Sequence, residues 1–299
     1  MYAQEISRAI RELTNDLTLG ALDSTGYESR ASRVAEEADE ILRSGTSSFT
    51  LRIAERELRF PIVRFGPTIT SMNLFDYKEL SVFAIYGKFL RESNQFLDLG
   101  SNIGSHSLFA ASLGATVRSW EPDRSVSSIQ REMFRENGFT CTQVDAAAGA
   151  KFELATFVHL DDNQTGSHLV GKKSDPYGRT TSYEVQVEDC RQDIQWADLV
   201  KMDVEGSESE ILCQTSYNTL SEVFIICEVT DNSAASDLYE YLSSAPVSMY
   251  SQRSGWRIPK SAHDLPSHHS HGSLLILGHE SSTRNCLGSN FDELLRSNQ

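Results

Sequence analysis

The chain has 299 residues, 39% hydrophobic and 23% charged, enough for one large domain or two modest ones around a sizeable core. Its 27 Lys and Arg stand against 42 Asp and Glu, a net charge of −15. That balance argues against a nucleic-acid partner and against docking on an anionic membrane, because both need clustered Lys and Arg. No stretch reaches the roughly 20 apolar residues of a membrane span. The start, MYAQEISRAIRELTNDL, lacks the basic and apolar regions of a signal peptide, so a cytoplasmic location is expected. Cys141, Cys190, Cys213, Cys227 and Cys286 are scattered and form no C-x-x-C pair; free thiols are the simple reading.

Residues 1–45 carry helical spacing in Ile6, Ile10, Leu13 and Leu17, and again in Val34, Ala35, Ala38 and Ile41, with a break over 20–29. These helices either cap the main domain, the plainer reading, or pair with a second copy of the chain in a homo-oligomer. Residues 48–65 alternate in part (Phe49, Leu51, Ile53) and suggest a hairpin. A helix is predicted over about 74–91. From residue 95 strands alternate with helices. The predicted strands are Gln95–Leu99, Thr116–Trp120, Thr140–Val144, Leu199–Asp203, Val223–Val229 and Leu274–Leu277. Helices are predicted up to Leu113, over Arg124–Asn137, after Gly206 and over Ala234–Leu242. Such alternation predicts an α/β domain with a largely parallel sheet. Residues 145–190 interrupt it. They hold apolar runs at Phe152–Leu160 and Tyr183–Val187, and read as a hairpin-like insertion near the ligand cleft. The expected division is a helical cap and hairpin over 1–72, the main domain over 73–285 and a tail over 286–299.

The sharpest motif is Phe96-Leu97-Asp98-Leu99-Gly100-Ser101-Asn102-Ile103-Gly104. An apolar strand turns on two glycines into a helix, and ligands bind at that end of open α/β sheets. The spacing of Asp98, Gly100, Asn102 and Gly104 is not the dinucleotide G-x-G-x-x-G, and no Walker lysine follows. Glu121, at the end of the next strand, is placed to accept two ribose hydroxyls, a role that suits NAD and S-adenosylmethionine alike. Asp145 and Ala146, after the third strand, are placed near an adenine. A fourth signal, Lys201-Met202-Asp203-Val204-Glu205-Gly206-Ser207-Glu208, gathers one cation and several carboxylates where a strand leaves the sheet.

These signals, in this order, resemble the FkbM family of S-adenosylmethionine-dependent methyltransferases. The resemblance rests on Asp98 to Gly104, Glu121-Pro122, Lys201 to Glu208, and the strand Ile225-Ile226-Cys227-Glu228. Asn163-Gln164-Thr165-Gly166-Ser167 and Val187-Glu188-Asp189-Cys190 resemble further family segments, with Cys190 where an aspartate-like residue is expected. The likeness covers about 75–280; the first 70 residues carry none of it. It implies a Rossmann-like class I methyltransferase sheet, mostly parallel with a late antiparallel strand, behind an N-terminal helical and hairpin extension. It implies S-adenosylmethionine as cofactor, and methyl transfer to a hydroxyl of a sugar, glycan or other polyhydroxylated small molecule.

For such a transfer a general base within hydrogen-bond reach of the hydroxyl should help. Asp203, Glu205 and Glu228 are candidates, as is a histidine from His263, His268, His269 and His271. Lys201 is positioned to orient the acceptor or offset negative charge. His106 is expected beside the cofactor without a proton role, and His159 and His168 on the surface. A divalent metal on Asp203, Glu228, Asp231 and Asn232 is the less favoured route. Asp175-Pro176-Tyr177 lacks the second proline of an amino-methylation motif and reads as a turn. Two rivals remain, an NAD-linked oxidoreductase and a catalytically silent cofactor-binding protein.

Overall fold

A computed structural model describes residues 3–15, 26–53, 55–65, 70–160, 166–172 and 179–281. The break expected over 20–29 lies partly outside these residues. So do Asn163 to Thr165, the Asp175-Pro176-Tyr177 turn, Cys286 and the tail.

Two helices, α1 (Gln4–Asn15) and α2 (Gly26–Arg43), precede a hairpin of β1 (Ser48–Ile53) and β2 (Arg56–Pro61). Ile6, Ile10 and Leu13 fall on one stripe of α1 and are all buried. In the hairpin Phe49 pairs with Phe60, and their rings stack with centroids 5.6 Å apart. Helix α3 (Tyr77–Phe89) begins where Asp76 accepts the backbone N–H groups of Lys78 and Glu79. The apolar periodicity from residue 74 overran this cap, because 71–75 form a 3-10 turn.

The main sheet contains β3 (Gln95–Leu99), β4 (Thr116–Trp120), β5 (Thr142–Val144), β10 (Leu199–Met202), β11 (Phe224–Glu228), β12 (Val247–Ser251) and β13 (Ser273–Gly278). Their order is β12-β13-β11-β10-β3-β4-β5. The central pairings are parallel, and β13 runs antiparallel to both its neighbours. Alternate residues face opposite sides. Phe96, Leu199 and Phe224 join the N-terminal helices, α3 and α4 (Ser105–Ser112) in one core. Leu97, Val200 and Ile225 join the opposite core with α6 (Arg191–Trp196), α7 (Glu208–Cys213), α8 (Tyr217–Glu222) and α9 (Asn232–Leu242). Burial on both faces explains why these strands read as unbroken apolar runs. Strand β12, with Ser248 and Ser251 in its five residues, carries no such signal and is absent from the predicted strands.

The insertion forms a second sheet of β6 (Ala147–Gly149), β7 (Glu153–Leu160), β8 (His168–Leu169) and β9 (Thr180–Asp189), ordered β6-β9-β7-β8. The expected hairpin is the antiparallel pairing of β7 with β9. The apolar stripe of α1 packs on α3 and β1, within the core that also holds Phe96, Leu199 and Phe224 of the main sheet. Among the described residues no helix is long and apolar enough to cross a membrane.

Candidate active site

The carboxyl ends of β3, β4 and β10 open into a cleft of about 990 Å³, its solvent-open mouth included. The glycine turn forms its floor. Gly100 (φ +78°) and Gly104 (φ +81°) both hold left-handed backbone that favours glycine. A Cβ on Gly100 would lie 1.8 Å from the Asp203 carbonyl oxygen. Gly100 therefore lets the loops after β3 and β10 touch.

Glu121 joins the second strand to that turn. One carboxylate oxygen accepts the N–H of Asn102 at 2.9 Å and the other accepts the N–H of Asp123 at 2.9 Å. Burial pushes its carboxyl up to about 7, against the pull of these two donors. Asp123 caps α5 (Arg124–Glu136) and accepts from His159 Nδ1 at 2.9 Å. His168 is 3% exposed, lines the cleft and donates from Nδ1 to the Gly166 carbonyl. Neither histidine is the surface residue expected: pairing in β7 and β8 turns both inward.

The far end of the cleft holds charge. Lys201 is 8% exposed and donates to Asp203 Oδ2 at 2.9 Å. Burial works against its charge, yet Asp203, Asp98, Glu79 and Glu228 together hold its pKa above the ordinary lysine value. Glu228 is pushed well above the usual carboxylate range, first by burial and then by the charges of Asp203 and Glu79. Asp203 and Glu205 line the cleft, whereas Glu228 stands behind them on β11. Glu79, from α3, also lines it and accepts from His106 Nε2 at 2.8 Å, while the other ring nitrogen meets the Tyr86 hydroxyl at 3.1 Å. Burial pushes Glu79 up, but the His106 hydrogen bond and the positive charge of Lys201 and Lys78 hold it below its ordinary value. No sequence motif pointed to Glu79, because α3 lies outside every motif.

Other predicted residues fall elsewhere. Asp145 lines a neighbouring groove and accepts from Arg131 at 2.5 Å and Ser127 at 3.0 Å. Ala146 is buried in the core, and its neighbours Ala147 and Ala148 line the cleft instead. The stretch 263–271 lies outside the lining; its 262–264 turn packs on α9, and Lys78 Nζ of α3 donates to the Ser270 carbonyl. Asp231 caps α9 by accepting from Ala234. Among the described residues no three His, Cys, Asp or Glu side chains gather into a metal-binding group.

The loop after β10 is shaped by Glu208, which is fully buried. It accepts from the N–H groups of Val204 and Gly206 and from the Thr230 hydroxyl.

The sheet order, the lone antiparallel strand and the placement of the cleft define a Rossmann-like class I methyltransferase fold. No protein-family model and no curated protein matches the chain. Among solved structures it is similar to a putative S-adenosylmethionine-dependent methyltransferase from Streptococcus mutans. That match has 11% identity and a TM-score of 0.43, covering 78% of this chain and 55% of the other. It is also similar to precorrin-6y C5,15-methyltransferase from Geobacter metallireducens, with 14% identity and a TM-score of 0.38, over 66% of this chain and 87% of the other. A third is the T. thermophilus 16S rRNA N2 G1207 methyltransferase in complex with AdoMet and guanosine. There the identity is 12% and the TM-score 0.38, over 77% of this chain and half of the other. These are distant likenesses of fold.

Proposed function

We propose that the protein is an S-adenosylmethionine-dependent O-methyltransferase acting on a hydroxyl of a sugar, glycan or other polyhydroxylated small molecule, as the resemblance to the FkbM family implies. The observation that carries this reading is Glu121, a buried carboxylate hydrogen-bonded to the glycine turn and lining the cleft. Its oxygens retain acceptor capacity for a ribose diol. One further atom fits a polar ligand: Ser105 Oγ lines the cleft and is buried without a hydrogen-bond partner.

The glycine turn, Asn102 and Glu121 would hold the cofactor, which when bound supplies an electrophilic methyl group on a sulfonium; Asp98 lies beneath that turn, outside the cleft lining. The remaining work falls to the acceptor side. A hydroxyl has to be aligned with that methyl group and relieved of its proton. Asp203 suits the second task. One oxygen is held by Lys201, the other has no hydrogen bond among the described residues, and the side chain lines the cleft. Lys201 offsets the repulsion among the neighbouring carboxylates, and Glu205 extends the acidic wall with Glu228 behind it.

Two observations favour an uncharged acceptor over RNA or a phosphorylated one. The net charge is −15, and among the described residues the cleft lining contains one Lys and no Arg.

The test is transfer of a labelled methyl group from S-adenosylmethionine to panels of sugars, glycans and RNA, after calorimetry has established cofactor binding. Lack of cofactor binding would sink the reading, and preferential labelling of RNA would sink the small-molecule acceptor. Asp203→Asn should leave cofactor affinity within a few-fold while lowering turnover by about 100-fold or more. Turnover should persist in EDTA; its loss would restore the metal route through Asp203 and Glu228.

A further inference from the structure

Glu79 enters the cleft from a helix that belongs to none of the cofactor motifs. We propose that Glu79, oriented by His106, is the counter-charge that holds the α-ammonium group of S-adenosylmethionine. The inference rests on the cofactor reading above.

Sheet order supplies the direction. Glu121 ends β4, the glycine turn follows β3, and Lys201 and Asp203 mark the end of β10, in the spatial sequence β4-β3-β10. A ligand with its ribose on Glu121 that crosses the glycine turn brings its opposite, amino-acid end toward β10 and α3. There Glu79 has Oε2 on His106 Nε2 at 2.8 Å and, among the described residues, no hydrogen bond on Oε1. An independent sign of a polar ligand is Ser105 Oγ. It lines the same cleft, belongs to a residue 2% exposed, and has no hydrogen-bond partner.

The competing carboxylates are less suited. Asp203 is already paired with Lys201. Asp98 is fully buried and absent from the cleft lining. Glu79 is also held ionised by its surroundings. That makes it a poor proton acceptor near neutral pH and a good counter-ion. Helix α3, and the N-terminal segments packed on it, then become part of the cofactor site.

The test is titration calorimetry of the full chain with two probes. S-adenosylhomocysteine carries the amino-acid end; 5′-methylthioadenosine keeps the adenosine and sulfur but lacks that end. Glu79→Gln should weaken S-adenosylhomocysteine about tenfold and leave 5′-methylthioadenosine within about twofold, the loss of one charge-assisted contact. His106→Asn should shift the same ratio in the same direction. If Glu79→Gln fails to fold, Glu79→Asp, which keeps the charge but shortens its reach, is judged by the same ratio. Equal weakening of both probes, or unchanged S-adenosylhomocysteine affinity, overturns the proposal. So does a selective loss seen in Asp98→Asn and not in Glu79→Gln. Failure of the unaltered protein to bind either probe overturns the methyltransferase reading itself, and this inference with it.

Discussion

Glu121 combines deep burial with two backbone donors, and burial dominates, so its carboxyl titrates near 7 rather than near 4.5. Ribose hydroxyls donate to the ionised form, so a bound ligand favours loss of the proton. Cofactor affinity should therefore rise with pH up to about 7 and level off above it. Below 7 the fall should approach about tenfold per pH unit. Calorimetry at several pH values checks this, and Glu121→Gln should bind weakly with a flat profile. Gly100 makes a different demand. Gly100→Ala drives a Cβ into the Asp203 carbonyl and should cost about 3 kcal/mol, read from the denaturation midpoint, together with cofactor binding. Both residues were legible in the sequence because motif spacing marks them. Glu79 was not, since its role depends on where α3 packs.

The decisive element is the loop after β10. Three donors converge on the Glu208 carboxylate, and two of them are backbone N–H groups of the loop that carries Glu205. Glu205 itself sits at φ +55°, a conformation costly for a residue with a side chain, so the loop needs that anchor. Glu208→Ala leaves these donors without a partner. It should cost about 2–4 kcal/mol in chemical denaturation and lower turnover more than the stability loss alone accounts for. The sequence marked this segment as a carboxylate cluster without separating its two tasks. Asp203 and Glu205 face the cleft, while Glu208 faces inward and holds the loop. The same confusion of position with orientation affected the insertion, where strand pairing turns His159 and His168 inward.

At the scale of the molecule the N-terminal cap and the sheet share one apolar core. Leu13 on α1 belongs to the same cluster as Phe83 on α3, Phe109 on α4 and Phe224 on β11. The chain should therefore unfold in one transition across this cluster. Leu13→Ala, far from the cleft, should lower the midpoint of that transition by about 3 kcal/mol of stability. A separate early transition for the cap would contradict this coupling.

Spacing along the chain was enough for the alternating α/β pattern, the glycine turn, Glu121 and the charged segment after Lys201. Each is a local feature: a strand buried on both faces, a turn that needs glycine, a carboxylate at a strand end. The antiparallel seating of β13, already expected from the family resemblance, was realised in the sheet, but β12 beside it left no apolar trace. Contacts between distant segments were decided only by the fold. Glu79 meets His106 because α3 packs against α4, and Asp145 turns to Arg131 because α5 lies beside it. Side-chain direction depends on packing between elements far apart in the chain, and that information is absent from local spacing.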